Sequence, residues 1–305
     1  MAPTRGLRIL ITGPDGQVGW ECRRSLQALG EVLCVGRARC DLSDPDAIRA
    51  AIRQASPDLI VNAAAFTAVD RAESEPDLAH AVNAIAPAVL AEEAHRLGAS
   101  LIHLSTDYVF DGSKPTPYVE DDPCNPLSVY GRTKLQGEQA VLSSGVPALI
   151  LRTSWVYATR GHNFLRTILR LAREREELRI VDDQRGAPTW ARSIAEGIAA
   201  IAARAGRDRA SIAAAFASRG GVFHMTAAGQ TSWHGFAQQL LQRVPDPGRR
   251  LRTVVPIATE EYPTPARRPI NSVLDCSRLA GAWGVGLPPW EIALELAVSG
   301  DEAPR

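Results

Sequence analysis

Leu7-Arg8-Ile9-Leu10-Ile11-Thr12-Gly13-Pro14-Asp15-Gly16-Gln17-Val18-Gly19 reads as a buried strand, a glycine turn and the start of a helix. The near-continuous apolar run is what a strand covered on both faces requires. The glycines of the turn let the backbone approach a pyrophosphate closely. The opening helix then offers unpaired N–H groups and the positive end of its dipole to the phosphates. The spacing is G-x-x-G-x-x-G, a variant of the commoner dinucleotide fingerprint. Gly13, Gly16, Gln17, Val18 and Gly19 are therefore candidate cofactor contacts.

Outward from this stretch, strands and helices alternate. Strands are expected at Arg8–Thr12, Val32–Val35, Leu59–Asn62, Ser100–Ser105 and Ala148–Arg152. Helices are expected at Val18–Leu29, Asp44–Gln54, Pro76–Leu97 and Leu127–Leu142, the last capped by Asn125 with Pro126 in its first turn. This alternation predicts an α/β fold with a Rossmann-like, doubly wound parallel sheet. The second part is less regular, with helices expected at Asn163–Arg175, Ala191–Arg204 and Ser232–Val244. Residues 199–220 read as an exposed helix and a loop, and prolines at 256, 263, 265, 269, 288 and 289 imply shaped loops. The division expected is 1–155 for an NAD(P)-binding domain. Residues 156–305 then form a smaller, mainly substrate-binding α/β domain, with some segments returning to the first sheet. The tail Ser299–Arg305 is expected to lack order.

Composition narrows the function classes. Lys plus Arg and Asp plus Glu are both 34 in 305 residues, so there is no basic footprint for nucleic acid. No charge-free apolar run reaches membrane-spanning length, and Leu7–Thr12 is too short for a signal-peptide core. The five cysteines are scattered without CxxC spacing, which fits free thiols in the cytoplasm. None of the six histidines shows metal-ligand spacing, and His103, on an expected strand, reads as a core histidine.

After the second strand, Val35-Gly36-Arg37-Ala38-Arg39 carries no carboxylate of the kind that usually meets a ribose 2′-hydroxyl. Arg37 suits a 2′-phosphate instead, which favours NADPH, with NADH the alternative. Asp41 and Leu42 are placed to line the adenine pocket. Ala63, Ala64 and Ala65 end the third strand with side chains small enough for a cofactor to lie across them.

Tyr130-Gly131-Arg132-Thr133-Lys134 sets a phenol and an ammonium four residues apart on one helix face. A free tyrosine titrates near 10, about three units too high for easy proton exchange at neutral pH, and a nearby cation lowers that value. Thr106, ending the fourth strand, offers a hydroxyl to a substrate carbonyl. Assembled, the parts describe a reductase. Tyr130 protonates a developing alkoxide, Thr106 hydrogen-bonds the same oxygen, and Lys134 tunes the phenol and holds the nicotinamide ribose.

At this point the residues resemble a known family, the dTDP-4-dehydrorhamnose reductases of the extended short-chain dehydrogenase/reductase group. The resemblance runs over nearly the whole chain. It is carried by Gly16–Trp20, Pro57–Pro76, Ser105–Phe110, Val129–Glu138, Arg152–Tyr157, Asp183–Thr189 and Tyr262–Pro269. It implies Thr106, Tyr130 and Lys134 as the catalytic set. It also implies cofactor contacts from Gly16, Gln17, Val18, Asp41, Leu42 and Ala65 to Thr67, and sugar-nucleotide contacts from Thr106, Asp107 and Trp155. Arg268 is implied as a partner for the substrate diphosphate. The activity implied is reduction of dTDP-4-dehydro-L-rhamnose to dTDP-L-rhamnose. The alternatives are a sibling reductase of another 4-keto-deoxysugar nucleotide, or a non-catalytic NADP-binding subunit like the regulatory subunits of methionine adenosyltransferase.

Two departures stand out. Some members form dimers bridged by Mg2+ through glutamates, but Arg192 stands where those members carry glutamate, although Glu291 still matches. An arginine repels the cation, which argues against the metal and leaves monomer and homodimer both open. Phe66 replaces a histidine found in some members, a change expected to alter packing beside the cofactor.

Overall fold

The computed structural model describes residues 6–299. The part of the expected tail from residue 300 onward lies outside them. Ser299 itself ends the last helix, Trp290–Ser299.

Five strands follow the sequence expectation closely: β1 Leu7–Thr12, β2 Gly30–Val35, β3 Leu59–Asn62, β4 Ser100–Thr106 and β5 Ala148–Thr153. A sixth, β6 Gly221–His224, joins them, and the order is β6-β5-β4-β3-β1-β2 with every pair parallel. Alternate residues of the strands feed two apolar layers. Leu7, Ile9 and Ile11 pack with helix α1 (Gln17–Ser25) and with residues of Ala191–Ala205 and Arg209–Arg219. Leu10, Ile60, Leu101 and Ile150 pack with Ile48, Ile52 and Leu90 on the other side. Both faces are covered, which is why the strands carry few polar side chains. The chain leaves β1 toward β2 on one side, while β3 lies on the other. The resulting crevice at the strand tips is where such sheets bind ligands.

The sequence reading needs four corrections here. The helix expected over 18–29 stops at Ser25, and Leu26 turns the chain toward β2. The helix expected over Pro76–Leu97 contains a π-helical turn at Ala81–Ile85. Pro87 has no N–H to offer Asn83, so the regular i→i−4 ladder cannot run through this point. The helix after the polar loop is Val129–Ser143, here α2, and its cap is Ser128, whose Oγ accepts the Gly131 N–H at 3.1 Å. Asn125 does not cap it; its side chain donates to Asp111 at 3.0 Å. Residues 199–220 form two helical segments rather than a helix and a loop.

The remainder forms a smaller layer beside the strand tips. Strands Glu177–Val181 and Thr253–Ile257 pair in parallel. Phe164–Glu174, Trp233–Arg243 and Trp290–Ser299 close a third apolar cluster with Tyr157, Leu165, Phe236 and Leu294 at its centre. Among the described residues no helix is long and apolar enough to cross a membrane.

Candidate active site

The tips of β1, β3, β4 and β5 border a cavity of about 460 Å³. Gly13, Gly16, Gln17, Val18, Ala63, Ala64, Ala65, Thr67, Tyr130 and Lys134 all line it, ten of the residues singled out from sequence. Two glycines show why the loop cannot carry side chains. Gly13 has φ +65°, and a Cβ there would lie 2.8 Å from Ala64; a Cβ on Gly19 would lie 2.0 Å from the Gly13 carbonyl oxygen. The first supplies a left-handed turn, the second lets the helix pack against its own loop. This cradle and the small-residue row Ala63–Ala65 fit a dinucleotide.

Tyr130 and Lys134 occupy one face of α2. The Tyr130 ring packs edge-on against Tyr108, with centroids 5.5 Å apart. Burial pushes its phenol up to about 12; a hydrogen bond with the Thr106 side chain pulls the other way, and the Asp107 charge adds to the rise. The sequence reading expected a lowered value. In the protein itself burial outweighs the Thr106 hydrogen bond and raises the value instead. Lys134 Nζ donates to the Leu104 carbonyl at 2.6 Å and lies 3.4 Å from His103 Nε2. Burial lowers it to about 8, opposed by the charge of Glu138.

Thr106 Oγ1 donates to Asp107 Oδ1 at 3.0 Å and accepts the Tyr108 N–H at 3.2 Å. Burial pushes Asp107 up to about 6, against hydrogen bonds from the Ser272 and Thr106 side chains. Beneath them, Arg152 and Glu138 form a buried ion pair at 2.6 Å, and Ser105 donates to the same carboxylate at 2.5 Å.

The other expected residues do not line this cavity. Arg37 is largely exposed and pairs with Asp41 at 3.4 Å, while Leu42 is buried in the second apolar layer with Cys40 and Ile48. Trp155 takes a left-handed conformation, φ 48°, and stacks on Trp233 with ring centroids 3.7 Å apart and planes 8° apart. Arg268 pairs with Asp70 at 2.8 Å. At the positions where some family members bridge a dimer through Mg2+, Arg192 pairs with Glu21 at 3.0 Å and Glu291 is exposed. A guanidinium at that place does not fit a cation site.

Sequence reasoning did not single out a further stretch of the lining: Thr153, Val156, Arg160, Gly161 and His162. Arg160 lies 3.6 Å over the Trp20 ring, and Asn163 donates to Gln17 Oε1 at 3.0 Å. The segment lies more than 130 positions from the glycine loop. No local pattern signals that approach; only the helix beginning at Asn163 was visible.

A parallel doubly wound sheet with a Tyr–Lys pair facing a glycine-loop cavity defines a nicotinamide-dependent reductase of the short-chain dehydrogenase type. More narrowly, the chain belongs to the family described as the RmlD substrate binding domain, whose model matches residues 7–302. It is 52% identical over 296 residues to a dTDP-4-dehydrorhamnose reductase of Burkholderia thailandensis, covering 96% of this chain and 98% of that protein. It is 42% identical to the enzyme of the same name from Escherichia coli K12, covering 95% and 96%. A crystal structure of a dTDP-4-dehydrorhamnose reductase from Bacillus anthracis in complex with NADP aligns with TM-score 0.85 at 32% identity, covering 95% of this chain and 98% of that one.

Proposed function

We propose that the protein reduces the C4 ketone of dTDP-4-dehydro-L-rhamnose to give dTDP-L-rhamnose, with NADPH as the preferred cofactor and NADH a weaker one. The observation that carries this reading is the single cavity in which the glycine loop, Ala63–Ala65, Tyr130 and Lys134 meet. The names and coverage of the relatives support the choice of substrate.

Gly13, Gly16, Gln17, Val18 and Gly19 hold the pyrophosphate, Ala63 to Ala65 and Thr67 take the nicotinamide side, and Arg37, Asp41 and Leu42 border the adenosine end. The bound reduced nicotinamide supplies a hydride to the ketone carbon. Tyr130 gives its proton to the oxygen that gains charge, and Thr106 hydrogen-bonds that oxygen. Positioned proton donation of this kind contributes roughly a hundred- to ten-thousand-fold. Lys134 holds the ribose and the local positive charge. Asp107, Trp155 and Arg268 meet the sugar nucleotide, Arg268 through its diphosphate.

On this reading residues 1–155 mainly bind the cofactor and 156–305 mainly the substrate. The enzyme acts in the cytoplasm, in keeping with the five free cysteines, as a monomer or homodimer without a bridging Mg2+. The test is to mix the protein with dTDP-4-dehydrorhamnose and each reduced nicotinamide in turn. Cofactor oxidation, faster with NADPH, is expected; no oxidation with either overturns the assignment.

A further inference from the structure

Behind the cavity the sheet carries a polar row that the reaction described above leaves unused. Parallel register sets Thr12 beside Asn62 and Asn62 beside His103. Thr12 Oγ1 donates to Asn62 Oδ1 at 2.6 Å, Asn62 Nδ2 lies 2.9 Å from His103 Nδ1, and His103 Nε2 lies 3.4 Å from Lys134 Nζ. Thr12, Asn62, His103 and Lys134 are each 1% exposed or less. A buried polar group left unmatched costs about 1–3 kcal/mol, so four in a line through an apolar sheet are a demanding arrangement.

Donor and acceptor roles follow along the line. The Ala64 N–H, which can only donate, approaches Asn62 Oδ1 at 3.3 Å, so that atom is the amide oxygen. The Asn62 nitrogen then faces His103 Nδ1, and an amide NH2 only donates. Nδ1 is therefore the acceptor, and the proton of a neutral ring sits on Nε2. Burial, and secondarily the Lys134 charge, hold His103 well below the usual histidine range, so the ring is neutral. The atom turned toward Lys134 is thus an N–H donor.

We propose that His103 is a positioning residue for Lys134: the row Thr12–Asn62–His103 turns a ring N–H toward the amine and so favours its neutral form. The inference rests on the reading of Lys134 as part of the reductase site. An ammonium confronts that N–H donor to donor, while a neutral amine accepts from it and still donates to the Leu104 carbonyl. When Lys134 gives up a proton, the Nε2–H hydrogen-bonds the lone pair left behind and its own proton stays on the ring. The other ionisable groups around Lys134 lie on its own helix and on the adjoining strands. Tyr130 is one turn before it, Glu138 one turn after it and paired with Arg152, and Asp107 acts on Tyr130 from the end of β4. Burial lowers Lys134 to about 8, and the Glu138 charge opposes that fall.

Two measurements on the full-length protein test this. Nitrogen-15 NMR of labelled histidine is expected to show the His103 ring neutral and protonated at Nε2 from about pH 5 to about pH 9. A ring protonated at Nδ1, or an imidazolium, overturns the proposal whatever the enzyme does. The kcat/KM profile for the keto-sugar is expected to fall above about pH 8 as Lys134 loses its proton. Asn62→Asp draws the ring proton to Nδ1 and leaves Nε2 to accept from the ammonium, whereas in His103→Gln the amide oxygen turns to the Asn62 NH2 and an NH2 faces Lys134 as Nε2–H does. The first is expected to move the alkaline limb upward by roughly one pH unit and the second to leave it in place. Activity of Asn62→Asp lowered equally at all pH values with the limb unmoved means that His103 only packs, and refutes the proposal. Should neither variant fold, the ring spectrum of the unaltered protein decides. Absence of turnover in the unaltered protein refutes the reductase reading instead, with the spectrum still deciding the tautomer.

Discussion

At the sheet, Thr12, Asn62 and His103 stand side by side because parallel strands keep one register across β1, β3 and β4. The proposed substrate contacts are held differently: Trp155 meets Gly186 and Trp233, and Arg268 meets Asp70. Trp155 holds a left-handed backbone, which costs about 1–3 kcal/mol for a non-glycine residue. Its ring is fixed by the stack on Trp233 and by Gly186, where a Cβ would lie 2.4 Å from the indole. Arg268 is fixed by Asp70, nearly 200 positions away. The sheet side is therefore rigid by construction. The substrate side is assembled from separate long-range contacts, each removable by itself.

The largest effect separating the two sides is expected from Tyr130→Phe. It should lower kcat by about a hundred- to ten-thousand-fold, while KM for NADPH and the melting temperature stay near those of the parent. Steady-state kinetics and calorimetry check this, and near-full activity would remove Tyr130 as the proton donor. Next is Glu138→Gln, which leaves Arg152 buried without its charge partner. Breaking such a pair costs about 3–5 kcal/mol, read as a lower midpoint in urea. A change within the error of the midpoint would mean that the framework under β4 tolerates the loss.

On the substrate side, Trp233→Ala removes one face of the indole stack. Aromatic pairs of this kind contribute about 0.5–1.5 kcal/mol, so KM for the sugar nucleotide is expected to rise up to about tenfold, with KM for NADPH unchanged. A rise in both would show that the two sides are not independent. The smallest effect is expected from Arg37→Ala. An exposed charge contact is worth about 0.2–1 kcal/mol, so KM for NADPH should rise a few-fold with no change for NADH. Equal changes with both cofactors would discard the 2′-phosphate contact.

Legibility followed the same division. The Tyr–Lys pair, the glycine loop and the alanines after β3 were readable because each is a local pattern with a local cause. Five strands were found for the same reason, since each carries a short apolar run, buried in β1, β3, β4 and β5 and half-buried in β2. The sixth, Gly221–His224, has only Val222 and Phe223 as apolar residues between a glycine and a histidine, so it carries no such run. Arg160 and His162 escaped because their place at the cavity depends on where the chain goes after β5. Trp155 and Arg268 entered through family resemblance alone.

By itself, the sequence determined the doubly wound α/β class and the cofactor cradle, because hydrophobic runs and glycine turns act over a few residues. It also determined the pairing of Tyr130 with Lys134, because one helical turn sets that spacing. Only the tertiary structure decided that His103 faces Lys134, that burial raises the Tyr130 phenol, and that Trp155 rests on Trp233. Those facts depend on strand register and on contacts between distant segments. No local propensity encodes either, since both are settled only when the apolar layers pack.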